Sequence, residues 1–262
     1  MAFGRSPGRV AGLPREAFRP SPIFLGILAL FAVSGWMTWT GFGSEQLDVF
    51  LFVASGWTVS LCLHEYAHAL VAYKGGDHDV AHRGYLTLDP LKYAHPLLSI
   101  VLPVVFLLIG GIGLPGGAVW VNHSVIRNRF TDSLISFVGP ATNMVLAVVL
   151  VLPFALGMDN GGTEAFWAAL AFLAFLQLTA SILNFVPMPG VDGGNLLFPW
   201  LSPQWQRGFN HVAPYGMLLL IALLWSPVIN DWFFTVVFAF GDVLGLPSYL
   251  VSDGLSLFRF WS

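Results

Sequence analysis

Charge is scarce in this chain: of its 262 residues only 10% are charged, against 56% hydrophobic. With a mean hydropathy of +0.74, that is far more apolar than a water-soluble domain tolerates. No polar stretch is long enough to hold a separate soluble domain, and neither an internal repeat nor a low-complexity tract occurs. Cysteine is nearly absent. The single Cys62 excludes an internal disulfide and a cysteine-built metal site, which leaves His, Asp and Glu as available ligands. Cys62 itself reads as core packing. A net charge of -3 gives no reason to expect nucleic acid as a partner.

What is abundant is long apolar runs of about 20 residues, the length needed to cross a bilayer. Strong spans run over 23–39, 47–73, 134–156 and 165–186, with weaker ones at 212–225 and 232–250. The first follows an Arg-bearing arm but has no small-residue cleavage site after it, and reads as a retained helix. The expected fold is an all-α polytopic membrane protein. It has a cytoplasmic arm (1–20), one transmembrane domain (21–252) and a cytoplasmic tail (253–262).

The stretch 96–120 is apolar too, but it carries Pro103, Pro115 and five glycines, a composition that breaks helices. Lys and Arg decide how to place it, because they collect on the cytoplasmic side. If 96–120 crossed, Arg127 and Arg129 would lie outside. If it dips in and returns, all 11 basic residues fall inside, Arg259 included, while Asp159, Glu164 and Asp231 lie outside. The charge rule therefore predicts about six crossings, both termini cytoplasmic, and a re-entrant element between the second and third spans.

Within the second span stands His64-Glu65-Tyr66-Ala67-His68. Histidines four apart share one helix face, so both imidazoles can reach one zinc ion while Glu65 serves as general base. Two histidines bonded to neighbouring helices would also account for polar groups at this depth. A catalytic zinc needs a third protein ligand, and Asp192 supplies one, following two prolines at the inner end of the 165–186 span. The same charge argument puts Asp192 on the side of His64 and His68. His123, like His95 and His211, has no partner at ligand spacing and reads as a loop residue.

These residues resemble the site-2 protease family of intramembrane zinc metalloproteases, which pairs HExxH with a later NxxPxPxxDG. Asn184, Pro187, Pro189, Asp192 and Gly193 match the second motif, and Gly139-Pro140-Ala-Thr-Asn143 matches a third, GPxxN. The match covers roughly 47–200. The LTLDPLK core of 84–96 looks like compact members without PDZ or CBS domains, although Tyr93 and His95 depart from the expected residues. The resemblance implies one Zn²⁺ per chain and cleavage of a transmembrane protein substrate near the cytoplasmic face of a prokaryotic cell membrane. An anti-sigma factor or a signal-peptide remnant would fit as that substrate. By similarity Asn184 holds the substrate backbone. Asn143 either orients substrate or bonds between helices, and the re-entrant stretch offers a strand edge. A transporter lined by the broken stretch, or a metal-bound scaffold that captures membrane partners without cutting them, are the alternatives.

Overall fold

The computed structural model describes residues 15–93, 119–259 and 261. Helix α1 (Pro22–Thr40) begins where Ser21 caps it, accepting the Phe24 N–H at 3.1 Å, with Pro22 preset for the first turn. It ends at Gly41, whose φ of 69° lets the chain turn left-handed. Leu25, Leu30, Val33 and Trp36 on α1 are exposed, as a lipid-facing surface requires. Helix α2 (Glu45–Gly75) has 31 residues and spans about 46 Å at 1.5 Å per residue. The turn after it, α3 (Asp79–His82), is followed by two short 3-10 turns.

Helix α4 (Arg129–Ala155) is capped by Asn128 and carries Pro140 and Pro153 inside it. Helix α5 (Glu164–Asn184) is buried nearly throughout and forms the centre of the bundle, against α1, α2 and α4. Bilayer lipid gives no hydrophobic drive between helices, so polar bonds at the contacts matter. Gln177 donates to Ser60 Oγ at 2.8 Å, and Ser181 to the Pro140 carbonyl at 2.9 Å.

After α5 come α6 (Asp192–Leu197), α7 (Pro203–Val212), α8 (Gly216–Leu224), α9 (Pro227–Leu244) and α10 (Ser248–Phe258). The described residues are all-α, with no strand among them, and 5 of their helices are long and apolar enough to cross a membrane: α1, α2, α4, α5 and α9. This differs from the six expected. The 212–225 run yields only the 9-residue α8, about 14 Å long, because Pro214 and Gly216 begin a new element there. Gly216 is pressed against Gly190, whose Cα lies 2.7 Å from where a Gly216 Cβ would stand.

The last span is shifted as well. It starts at Pro227 and stops at Gly245, where φ is 88°. Residues 253–258, expected to begin a tail, belong to α10 instead, which packs along α5 and α2. Phe258 is fully buried between Phe50 and Phe172. Tyr249, Asp253 and Leu257 line a cavity with Glu45 and Glu164, at the first turns of α2 and α5. Helix α10 therefore sits at the end of the bundle far from His64 and His68. Arg259, read from the sequence as a loop residue, instead follows directly on a packed helix. The re-entrant, partly β element expected over 96–120 falls outside the described residues except for Val119 and Trp120.

Candidate metal centre

His64 and His68 stand one turn apart on the buried face of α2, about 10 to 17 Å from its C-terminal end at Gly75. Their Nε2 atoms lie 3.0 Å apart. Asp192 Oδ2 lies 3.2 Å from His64 Nε2 and 3.4 Å from His68 Nε2. Burial alone would push the Asp192 carboxyl up, but the charge and hydrogen bonds of the two imidazoles hold it well below the usual carboxylate range.

Helix α4 shapes this corner. Pro140 has no N–H to give to the Ser136 carbonyl, which loosens the helical ladder there. One residue earlier, the Ile135 carbonyl accepts the Nδ1–H of His68 at 2.5 Å, leaving that ring's Nε2 lone pair free for a ligand. His64 Nδ1 is buried without a partner among the described residues. Gly139 leaves room for both rings, since a Cβ there would fall 2.6 Å from His64 Nε2 and closer still to His68.

Asp192 reaches the histidines because the chain folds back sharply after α5. Helix α5 stops at Asn184, Pro187 and Pro189 prevent its continuation, and Gly190 turns at φ 93°. Gly193 then lies against the backbone of the same loop, where a Cβ would come within 2.5 Å of the Phe185 carbonyl oxygen. Ser133 on α4 donates to the Leu196 carbonyl at 2.8 Å and so pins α6, whose first residue is Asp192.

Glu65 is 2% exposed, and its Oε2 accepts the Val119 N–H at 3.1 Å. Glu65, His64, His68, Asp192 and Asn184 line one cavity of about 150 Å³. Asn184 thus reaches the cavity wall. Asn143, also buried, does not line it, and its Oδ1 has no partner among the described residues. Tyr93, the departure noted in the sequence, donates its hydroxyl at 3.1 Å to the carbonyl of Cys62, two residues before His64. Cys62 is fully buried, as core packing requires.

The donors fit zinc. Ligands bonded at about 2.1 Å to one tetrahedral ion stand about 3.4 Å apart, close to the three separations seen here, and two imidazoles with one carboxylate leave the fourth position for water. His64, His68 and Asp192 are also the one group of three such residues among the described ones whose ligand atoms converge, all within 4.8 Å of one another.

Comparison with known proteins agrees. The chain is 46% identical over 252 residues to Rip2, a candidate zinc metalloprotease of Mycolicibacterium smegmatis, covering 95% of this chain and 96% of that protein. Rip2 of Mycobacterium tuberculosis is 47% identical over 252 residues, with the same coverage. The chain belongs to the site-2 protease family. A more distant member, YwhC of Bacillus subtilis, is 30% identical over 185 residues, 65% of this chain and 78% of that one. No family model and no solved structure matches. This family member is a zinc-dependent metalloprotease, and its apolar helices make it a membrane protein.

Among the cavity-wall residues that escaped the sequence reading are Val119, which holds Glu65, and His123. His123 Nδ1 lies 2.5 Å from Asp132 Oδ1, a partner nine positions away that no ligand-spacing pattern would select.

Proposed function

We propose that this protease hydrolyses peptide bonds within transmembrane segments of other membrane proteins, near the cytoplasmic face, with His64, His68 and Asp192 holding its zinc and Glu65 as general base. The observation that carries the reading is the convergence of those three ligands and Glu65 on one cavity inside a bundle of membrane-spanning length. When bound, zinc polarises the substrate carbonyl and acidifies a water. Glu65 would take a proton from the attacking water and deliver it to the departing amide nitrogen. The Val119 N–H holds Oε2 of Glu65, and among the described residues Oε1 is left for the transfer. Asn184, at the cavity wall, offers its amide to the substrate backbone, which must be unwound from its own helix before it can be cut.

Sidedness follows from charge. Lys74, Arg83, Lys92, Arg127 and Arg129 surround the metal end of the bundle, whereas Glu45, Asp159, Glu164 and Asp253 gather at the other. The metal end is cytoplasmic in this reading, and α8 with α9 makes the fifth crossing. That places α10 and the C-terminal residues outside, in support of five crossings over six. The test is cleavage by purified protein in detergent of a peptide carrying one transmembrane helix. Cleavage that stops with a chelator and returns with zinc supports the proposal; cleavage indifferent to the chelator refutes it.

A further inference from the structure

Helix α4 holds two imidazoles in the same manner. His68 gives its Nδ1–H to the Ile135 carbonyl at 2.5 Å. Three residues earlier on the same helix face, Asp132 Oδ1 takes the Nδ1–H of His123, also at 2.5 Å. With Nδ1 occupied, the working end of each ring is Nε2. For His68 that end meets His64 and Asp192. For His123 the ring stands on the wall of the same cavity as Glu65 and Asn184.

The position of His123 is built rather than incidental. Before it, the Asn122 N–H donates to the buried Asp77 carboxylate at 2.7 Å; after it, both the N–H and the hydroxyl of Ser124 bond Asn122 Oδ1. The orienting carboxylate is only 18% exposed, while the imidazole is 57% exposed and stays accessible at the cavity wall. An exposed ion pair of this kind adds little to stability, which leaves orientation of the ring as its main consequence. A carboxylate bonded to Nδ1 fixes the ring and its negative charge suits the doubly protonated imidazolium, in which Nε2–H is a directed donor.

We propose that His123 is a substrate-contacting residue: its Nε2–H donates to a backbone carbonyl oxygen of the unwound substrate at the mouth of the cavity, with Asp132 as its positioning residue. The need is physical. A peptide segment drawn out of a helix inside a membrane exposes carbonyls that water does not reach, and each lacks a donor until the enzyme supplies one. Glu65 and Asp192 offer only acceptors on this wall, so donors such as Asn184 and His123 must meet the carbonyls.

This inference rests on the protease reading, and one set of variants separates the two. Wild-type cleavage of the transmembrane peptide, lost in Glu65→Gln, establishes the protease. Against that baseline His123→Ala is expected to lower kcat/KM by about tenfold or more, the loss of one hydrogen bond to a desolvated group, with zinc content unchanged. His123→Gln, whose amide nitrogen stands near the Nε2 position, restores most of the rate. His123→Asn, whose amide stands near Nδ1 and keeps only the Asp132 bond, does not. Asp132→Asn lowers the rate in the same direction, again without loss of zinc. Rescue by Asn but not Gln would show that His123 merely anchors its loop; that result, an unimpaired Ala variant, or loss of zinc on substituting His123 each overturns the proposal.

Discussion

Gly139 and His68 meet across the contact between α4 and α2 with no room for a methyl group between them. The glycine of the GPxxN motif is thus an element of the metal centre, though it donates nothing. Gly139→Ala forces either the imidazole or the helix to shift, at a cost of about 1–3 kcal/mol. Zinc affinity should fall about tenfold to a hundredfold while the helical far-UV signal is kept. Titration with a zinc chelator measures it; wild-type retention would show that the rings have slack.

Asp77 holds the segment that carries Val119 and His123. It is 2% exposed, and its two oxygens accept the N–H groups of Asn122 and Asp79 at 2.7 and 3.1 Å. Asp77→Ala leaves the Asn122 N–H without this partner, a loss of about 1–3 kcal/mol that loosens the segment locally. Amide hydrogen exchange at residues 119–123 should speed up more than tenfold while α5 stays protected. Uniform acceleration would place Asp77 in global stability instead.

The sidedness of the C-terminal helix separates five crossings from six. Cys62 is fully buried, so a cysteine introduced elsewhere reports alone. Leu91 is 60% and Tyr249 65% exposed. In oriented membranes Leu91→Cys should react only with reagent on the cytoplasmic side and Tyr249→Cys only from the opposite side. Labelling of both from one side would restore the six-crossing arrangement.

The convergence of His64, His68 and Asp192 was legible because its information is local. Histidines four apart on a helix declare a shared face, and Asp192 follows a proline pair that must end α5. Glu65 comes with the same pattern. The long spans α1, α2, α4 and α5 were legible from hydropathy, and their ends differ from the expected ones by a few residues where Ser21, Gly41 and Asn128 set caps. The run 212–225 differs from a single long helix for a tertiary reason. Nothing in it announces that Gly216 must press against Gly190, where the short helix α8 begins. His123 was passed over for a similar reason: its partner Asp132 is reached only because the chain turns at 123–125 into α4. The likeness of Asn143 to Asn184 in the motifs also hid a difference, since only Asn184 reaches the cavity.

The most direct test of the account is a paired measurement on Glu65→Gln and Asp192→Ala: zinc per chain, and the rate of cleavage of a transmembrane peptide. Glu65→Gln should hold zinc as wild type does and lose about 10²- to 10⁴-fold in rate, because only the proton carrier is gone. Asp192→Ala should lose both zinc and rate, because a ligand is gone. A Glu65→Gln protein that still cleaves at the wild-type rate, or an Asp192→Ala protein that retains full zinc, would contradict the assignment of base and ligands.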